Sequence, residues 1–172
     1  VIIVTSVTIN KGVTKIGTGA FNDCVNLVSA SMPILTVLSL GTFKNCTSLN
    51  QVELPLLTEI KANAFRNSSI EGFFGMNVVS IGNYAFAENH HLTGVMLPNV
   101  TTMGTNVFAN CTALQVANLS KLQEVNAYSF AYCESLKSLV LPNVVNVLSN
   151  AVFNNKVKCF CFACCDINVS IQ

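Results

Sequence analysis

Apolar positions in this chain follow one order that is repeated from end to end. A short alternating run comes first: Leu49-x-x-Val52-x-Leu54-Pro55 in one copy, Leu92-x-x-Val95-x-Leu97-Pro98 in another, Leu136-x-x-Leu139-x-Leu141-Pro142 in a third. Apolar residues two apart share one face of a strand, and the proline ends the strand because it has no N–H to give to a ladder. Each copy is anchored by a phenylalanine: Phe21, Phe43, Phe65, Phe86, Phe108, Phe130 and Phe153, at steps of 22, 22, 21, 22, 22 and 23 residues. Eight residues earlier stand Val13, Leu35, Leu57, Val78, Val100, Leu122 and Val145, and five earlier Ile16, Leu38, Ile60, Ile81, Met103, Val125 and Leu148. Both sets are apolar throughout, so both are expected to point inward beside the phenylalanines.

A fixed period of this size predicts a solenoid in which each coil buries its apolar face only against its neighbours. Parallel strands of successive coils then pair at about 4.8 Å, and the seven phenylalanine rings form a column. The string Phe-x-x-Cys-x-x-Leu predicts a tight turn of 3₁₀ type after each ring. Gly17, Gly82 and Gly104, four residues before their phenylalanines, are expected to permit the bend into that turn. The 21-residue step is expected to reflect one residue lost in Arg66-Asn67-Ser68-Ser69, a local slip that leaves Ile70 and Phe73 inward and Gly72 and Phe74 outward. Gly75 then takes the leucine slot and Met76 the proline slot. The organisation this predicts is about seven coils of 22–23 residues over 1–158, followed by a cysteine-rich tail over 159–172.

Composition narrows the function classes. Only 10% of the residues are charged and the formal net charge is +1, so there is no basic stripe for nucleic acid and no acidic solvating run. Although 51% of residues are apolar, no uninterrupted apolar run reaches the roughly 18 residues of a membrane-spanning helix, and no transmembrane segment is expected in this stretch. The chain starts at Val1 with no Met and no signal-peptide pattern, which suggests a fragment or a processed piece of a longer protein.

The string Ile81-Gly82-x-x-Ala85-Phe86, the Phe-x-x-Cys-x-x-Leu spacing and the Leu-Pro strand end resemble the BspA-type (Treponema pallidum-like) leucine-rich repeats. The resemblance is greatest in the copy from Val7 to Cys24 and extends from about Val4 to Asn155. It implies a right-handed leucine-rich-repeat solenoid with its parallel sheet on the concave face and short turns and loops on the convex side. It also implies a secreted or cell-surface protein of bacteria or protozoan parasites, active in adhesion to host matrix proteins and to other cells. The copies depart from the pattern where Ser68, Asn89 and Lys156 replace the repeat cysteine.

The eight cysteines fall into two sets. Cys24, Cys46, Cys111 and Cys133 share one repeat slot, either as small buried thiols or as stacked neighbours within disulfide reach. Cys159, Cys161, Cys164 and Cys165 crowd into seven residues without the separated pairs of a zinc site. They fit disulfides, an apolar cap on the last coil, or the start of a truncated continuation. No metal and no cofactor are expected.

Outward strand positions carry Ser29 and Ser31, then Gln51 and Glu53, then Gly72 and Phe74, Gly94 and Met96, Val116 and Asn118, and Ser138 and Val140. Phe74 and Met96 stand side by side, each next to a glycine. Exposed contiguous apolar residues mark interaction surfaces, so Phe74, Met96, Val116, Asn118 and Val140 form the candidate contact patch, unless the irregular coil tucks Phe74 inward. His90 and His91 are adjacent, with only Glu88 near them in sequence, and read as a solvated turn. No Ser/His/Asp or Cys/His spacing and no phosphate-binding glycine loop occurs, so an enzyme is not expected. Asn-x-Ser/Thr sequons at Asn45, Asn67, Asn99, Asn110, Asn118 and Asn168 would take glycan only if the source secretes and glycosylates. The expected function is a protein-binding module at a cell surface or secreted, whose partner is a host extracellular-matrix or cell-surface protein. The alternatives are a spacer rod in a larger surface protein and an intracellular interaction scaffold.

Overall fold

A computed structural model describes residues 3–10 and 12–155. The tail cysteines, Lys156 and the Asn168 sequon lie outside the described residues. The described residues form thirteen short strands on two faces of a solenoid. One face carries three-residue strands: β1 (Ser6–Thr8), β2 (Ser29–Ser31), β4 (Gln51–Glu53), β6 (Gly72–Phe74), β8 (Gly94–Met96), β10 (Val116–Asn118) and β12 (Ser138–Val140). The other carries two-residue strands: β3 (Val37–Leu38), β5 (Glu59–Ile60), β7 (Ser80–Ile81), β9 (Thr102–Met103), β11 (Glu124–Val125) and β13 (Asn146–Val147). Every pairing is parallel and joins equivalent residues of adjacent coils, such as Ala30 with Val52 and Ile60 with Ile81. The strands are short because each contributes only one or two inward side chains before the chain turns.

Those inward side chains and the phenylalanines make one continuous core. Phe21, Phe43, Phe65, Phe86, Phe108 and Phe130 stack with successive centroids 5.5, 5.6, 5.2, 5.4 and 5.2 Å apart and planes within 19° of parallel. Offset stacks at such distances add to the area that the rings bury. In the first described coil Phe21 is half-buried and Val13 exposed.

The last coil sits one residue away from the expected alignment. Ala151, not Val152, accepts the N–H of Phe130, just as Ser129 accepts that of Phe108, so Val152 occupies the ring slot and packs on the core. Phe153 lies one position beyond and is 45% exposed, its ring set edge-on to Tyr132 at 5.5 Å. The same shift buries Val144 and half-buries Val147, while Val145 and Leu148, expected inward, are exposed. It also places Asn155, not Lys156, in the cysteine slot, where its Nδ2 donates to the Phe130 carbonyl at 2.7 Å. The column therefore holds six rings and a valine, and the final step is the ordinary one of 22 residues.

The turns after the rings are not helical; the described residues contain no helical segment. The N–H of Cys46 does reach the Phe43 carbonyl and that of Leu49 the Cys46 carbonyl, the bonds a 3₁₀ turn would make. The residue before the cysteine slot, however, is left-handed in every coil: Asp23, Asn45, Asn67, Glu88, Asn110, Tyr132 and Asn154 have φ between 53° and 63°. A left-handed residue reverses the chain and stops a helix before it completes a turn. Asn and Asp tolerate that conformation best, which accounts for five of the seven.

Gly82 and Gly104 serve a different purpose from the one expected. Neither has positive φ; a Cβ on Gly82 would lie 2.4 Å from the Ala62 nitrogen, and one on Gly104 2.6 Å from the Asn83 nitrogen. They allow the backbones of adjacent coils to approach closely. Gly17, in the end coil, meets nothing within 4 Å. Gly104→Ala is expected to lower stability by about 1–3 kcal/mol, as overpacking against backbone does, whereas Gly17→Ala should leave the melting temperature unchanged; thermal denaturation of the two variants checks this.

Candidate functional site

The three-residue strands form two separate sheets, in the orders β1-β2-β4 and β6-β8-β10-β12. The 21-residue step accounts for the division. One residue fewer joins the Phe65 turn to β6, about 3.3 Å of extended chain, so β6 begins before it can align with β4. The slip is local: the row parts only between β4 and β6, and the two coils are joined on either side of the gap by the Ser69 N–H to the Leu49 carbonyl and by Asn77 Nδ2 to the Pro55 carbonyl. On the opposite face β5 and β7 still pair, so the coils stay stacked there.

The missing residue also changes what fills the coil. Phe73 points inward and its ring packs between Phe65 and Phe86, at 5.5 and 5.1 Å. Gly75, in the leucine slot, makes room for it: a Cβ there would lie 2.9 Å from the Phe73 ring. Large aromatic plus glycine thus replaces the usual pair of aliphatic residues.

The outward face of β6 to β12 is a continuous sheet surface. In register, Phe74, Met96, Asn118 and Val140 form one row and Gly72, Gly94, Val116 and Ser138 the next. Neither row carries a formal charge. Phe74 is 79% exposed and Val116 43%, while Met96, Asn118 and Val140 are half-buried. The Phe74 ring leans over Gly72, within 3.6 Å of where a Cβ would stand. At Gly94 a Cβ would meet nothing nearer than the Val116 carbonyl at 3.8 Å. Packing therefore requires glycine at neither position, yet glycine weakens a strand. By contrast, β1, β2 and β4 present Ser, Thr, Gln and Glu outward.

The other side chains singled out from the sequence do not gather at this face. Cys24, Cys46, Cys111 and Cys133 are free thiols. Cys46, Cys111 and Cys133 donate to the carbonyls of Phe21, Phe86 and Phe108 at 3.0–3.1 Å, filling the slot where Ser68 and Asn89 bond to each other and to Phe65. Burial pushes the thiols of Cys46 and Cys133 up to about 12, and that of Cys111 well above its ordinary value. Because unfolded cysteine ionises first as pH rises, these thiols hold their full stabilising share below about pH 9 and lose it as the pH climbs toward 12. Iodoacetamide at pH 8 is expected to leave Cys111 and Cys133 unmodified in the folded protein and to label both in urea, as read by peptide mass spectrometry.

His90 and His91 are exposed, and the nearest recorded partner of His90 Nδ1 is Thr112 Oγ1 at 3.4 Å. Among the described residues no three His, Cys, Asp or Glu side chains group as metal ligands would. Of the sequons, Asn45 and Asn67 lie in a side-chain ladder: Asn45 donates to Asp23 at 2.8 Å and accepts from Asn67 at 3.0 Å.

A parallel two-faced coil of this period, with a stacked phenylalanine and a cysteine three residues on, is matched by the profile of the BspA type leucine rich repeat region. The match takes in residues 2–76 and 58–171, in six copies. The chain belongs to the BspA-type leucine-rich repeat family. Among solved structures, a leucine-rich repeat protein from Bacteroides ovatus is similar at 21% identity and a TM-score of 0.67, with 89% of this chain and 50% of that one covered. The T. pallidum leucine-rich repeat protein is similar at 22% identity and a TM-score of 0.54, covering 95% of this chain and 79% of that one. These BspA-type repeats thus span half the length of the B. ovatus protein. No curated protein matches the chain. No described helix is long and apolar enough to cross a membrane.

Proposed function

We propose that this BspA-type solenoid is a protein-binding module of a cell-surface or secreted adhesion protein, with its contact surface on β6 to β12 around Phe74, Met96, Val116, Asn118 and Val140. The observation that carries the reading is Phe74, a large apolar ring four-fifths exposed beside two glycines that packing does not require. Burying such a ring in a partner would contribute about 1.5–3 kcal/mol, and the glycine pair in the adjacent row leaves floor for a partner's side chains. Host extracellular-matrix or cell-surface proteins are the partner class that the family resemblance favours.

Gly94→Lys fills that floor with a charge while leaving the backbone unstrained. It is expected to keep the wild-type melting temperature and to weaken capture of a matrix protein, in a surface-plasmon-resonance panel of purified matrix proteins, by tenfold or more. A spacer rod would bind none of the panel, with or without the substitution.

A further inference from the structure

Among the described residues, the opening between β4 and β6 is the place inside the stack where inward side chains are only half-buried. No Cα of β4 lies within 8 Å of a Cα of β6, against about 4.8 Å between paired strands. Val52 and Leu54 point inward there but are only half-buried, whereas their equivalents Ala30, Met32, Val95, Leu97, Ala117 and Leu119 are buried. Met32, Gly75, Leu97 and Leu119 each donate their N–H to the following coil, and Leu54, in the same slot, makes no such bond. The edge of β4 that faces β6 is therefore a free strand edge, a row of backbone donors and acceptors of the kind that pairs with another chain.

A cleft of about 350 Å³ runs across β1, β2 and β4 (Thr8, Ser31, Gln51 and Glu53 among its lining) and reaches this opening at Val52 and Gly72. That volume is at the lower end of ligand-binding cavities. Glu53 is held in place by a 2.7 Å hydrogen bond from Ser31 Oγ, and the ion pairs of the described residues, Lys61 with Glu59 and Arg66 with Glu88, do not include it. Glu71, just before β6, is likewise exposed and outside those pairs. The opening thus combines a free strand edge, two half-buried apolar side chains, Glu53 in the adjoining cleft and Glu71 at the start of β6.

We propose that this opening takes an extended segment of a partner protein, which adds as a strand along the free edge of β4 and sets a basic side chain against Glu53. A strand interposed between two others needs about 9.6 Å, two ladder spacings, and a separation beyond 8 Å is on that scale. Main-chain bonds would supply affinity, and the alternate side chains specificity, as in other strand additions. Val52 and Leu54 would be covered by the apolar side chains of the segment. The inference rests on the reading of this face as a protein-contact surface and names what its polar half would hold.

The test selects a random heptapeptide phage library on the wild-type protein. The enriched sequence is then synthesised with and without N-methyl groups on alternate amides and titrated by fluorescence polarisation. Enriched peptides are expected to carry Lys or Arg within an alternating apolar pattern. Their affinity should fall at least tenfold on N-methylation and on Glu53→Lys, and less on Glu53→Gln, with melting curves showing both variants folded. Failure of wild-type protein to enrich any peptide over the Glu53→Lys protein would overturn the proposal, as would peptides indifferent to N-methylation. Peptides lost only with Phe74→Asp would also overturn it, and would leave the apolar patch standing. Strand-like peptides that bind the cleft, alongside matrix-protein capture indifferent to Phe74→Asp, would keep the cleft and remove the patch.

Discussion

Phe108→Ala is expected to destabilise the solenoid by about 3–5 kcal/mol, the usual cost of emptying a phenylalanine site in a packed core, while Phe153→Ala should change stability by no more than about 0.5 kcal/mol. Phe108 is fully buried between the rings of Phe86 and Phe130, 5.4 and 5.2 Å away. Those rings cannot close on the gap, because each is fixed by its own coil and by the next ring in the column. Phe153 fills no slot; it lies half in solvent with one edge against Tyr132. Val152→Ala should fall between the two, since that side chain holds the ring slot at the end of the column. Urea denaturation of the three variants, followed by circular dichroism, reads all three effects. A large loss from Phe153→Ala with little from Val152→Ala would put the final coil back into the alignment that the phenylalanine spacing suggests.

The second large effect concerns binding rather than stability. Phe74→Asp removes the most exposed large apolar side chain of the described residues and puts a charge at the β6 edge of an uncharged pair of rows. Truncating an anchor of this kind typically costs about 2 kcal/mol or more of binding energy, roughly a thirtyfold loss of affinity. Burying an unpaired carboxylate in the interface adds to that loss. Stability should scarcely move, because the ring is packed against little beyond Gly72 and its own strand.

Most of the architecture was legible because a repeat states the same constraint many times over. Positions such as Leu38, Ile60, Ile81, Met103 and Val125 are apolar in coil after coil, and only an inward-facing slot imposes that. Ile70 and Phe73 could be placed inward by realigning one coil against the others, and both are buried. Expectation and structure part where a single large residue competes with the pattern. At the C-terminal end Phe153 attracted the alignment, although Leu97-Pro98 and Leu141-Pro142 are 44 residues apart, two ordinary periods. Size identified the ring in six coils and misidentified it in the seventh, where a small residue, Ala151, and the left-handed Asn150 mark the slot instead.

Gly82 and Gly104 show a second limit. Glycine in a turn suggests conformational freedom, but here the requirement is the distance to the neighbouring coil's backbone, which one sequence cannot express. The opening between β4 and β6 shows a third. The deletion that causes it is visible as a 21-residue step, but whether stacked coils absorb a lost residue in a loop or part along a strand depends on both coils together. The uncharged rows on β6 to β12 could be read directly, since alternation fixes which residues face outward. How far Phe74 stands clear of its neighbours could not.

The measurement that most directly tests the account is the affinity of wild-type and Phe74→Asp proteins for one purified matrix-protein ligand, with melting curves recorded on the same samples. The account predicts equal melting temperatures and a loss of affinity of about thirtyfold or more. Equal affinity in two equally folded proteins would contradict it and would move the contact surface away from the β6 to β12 face.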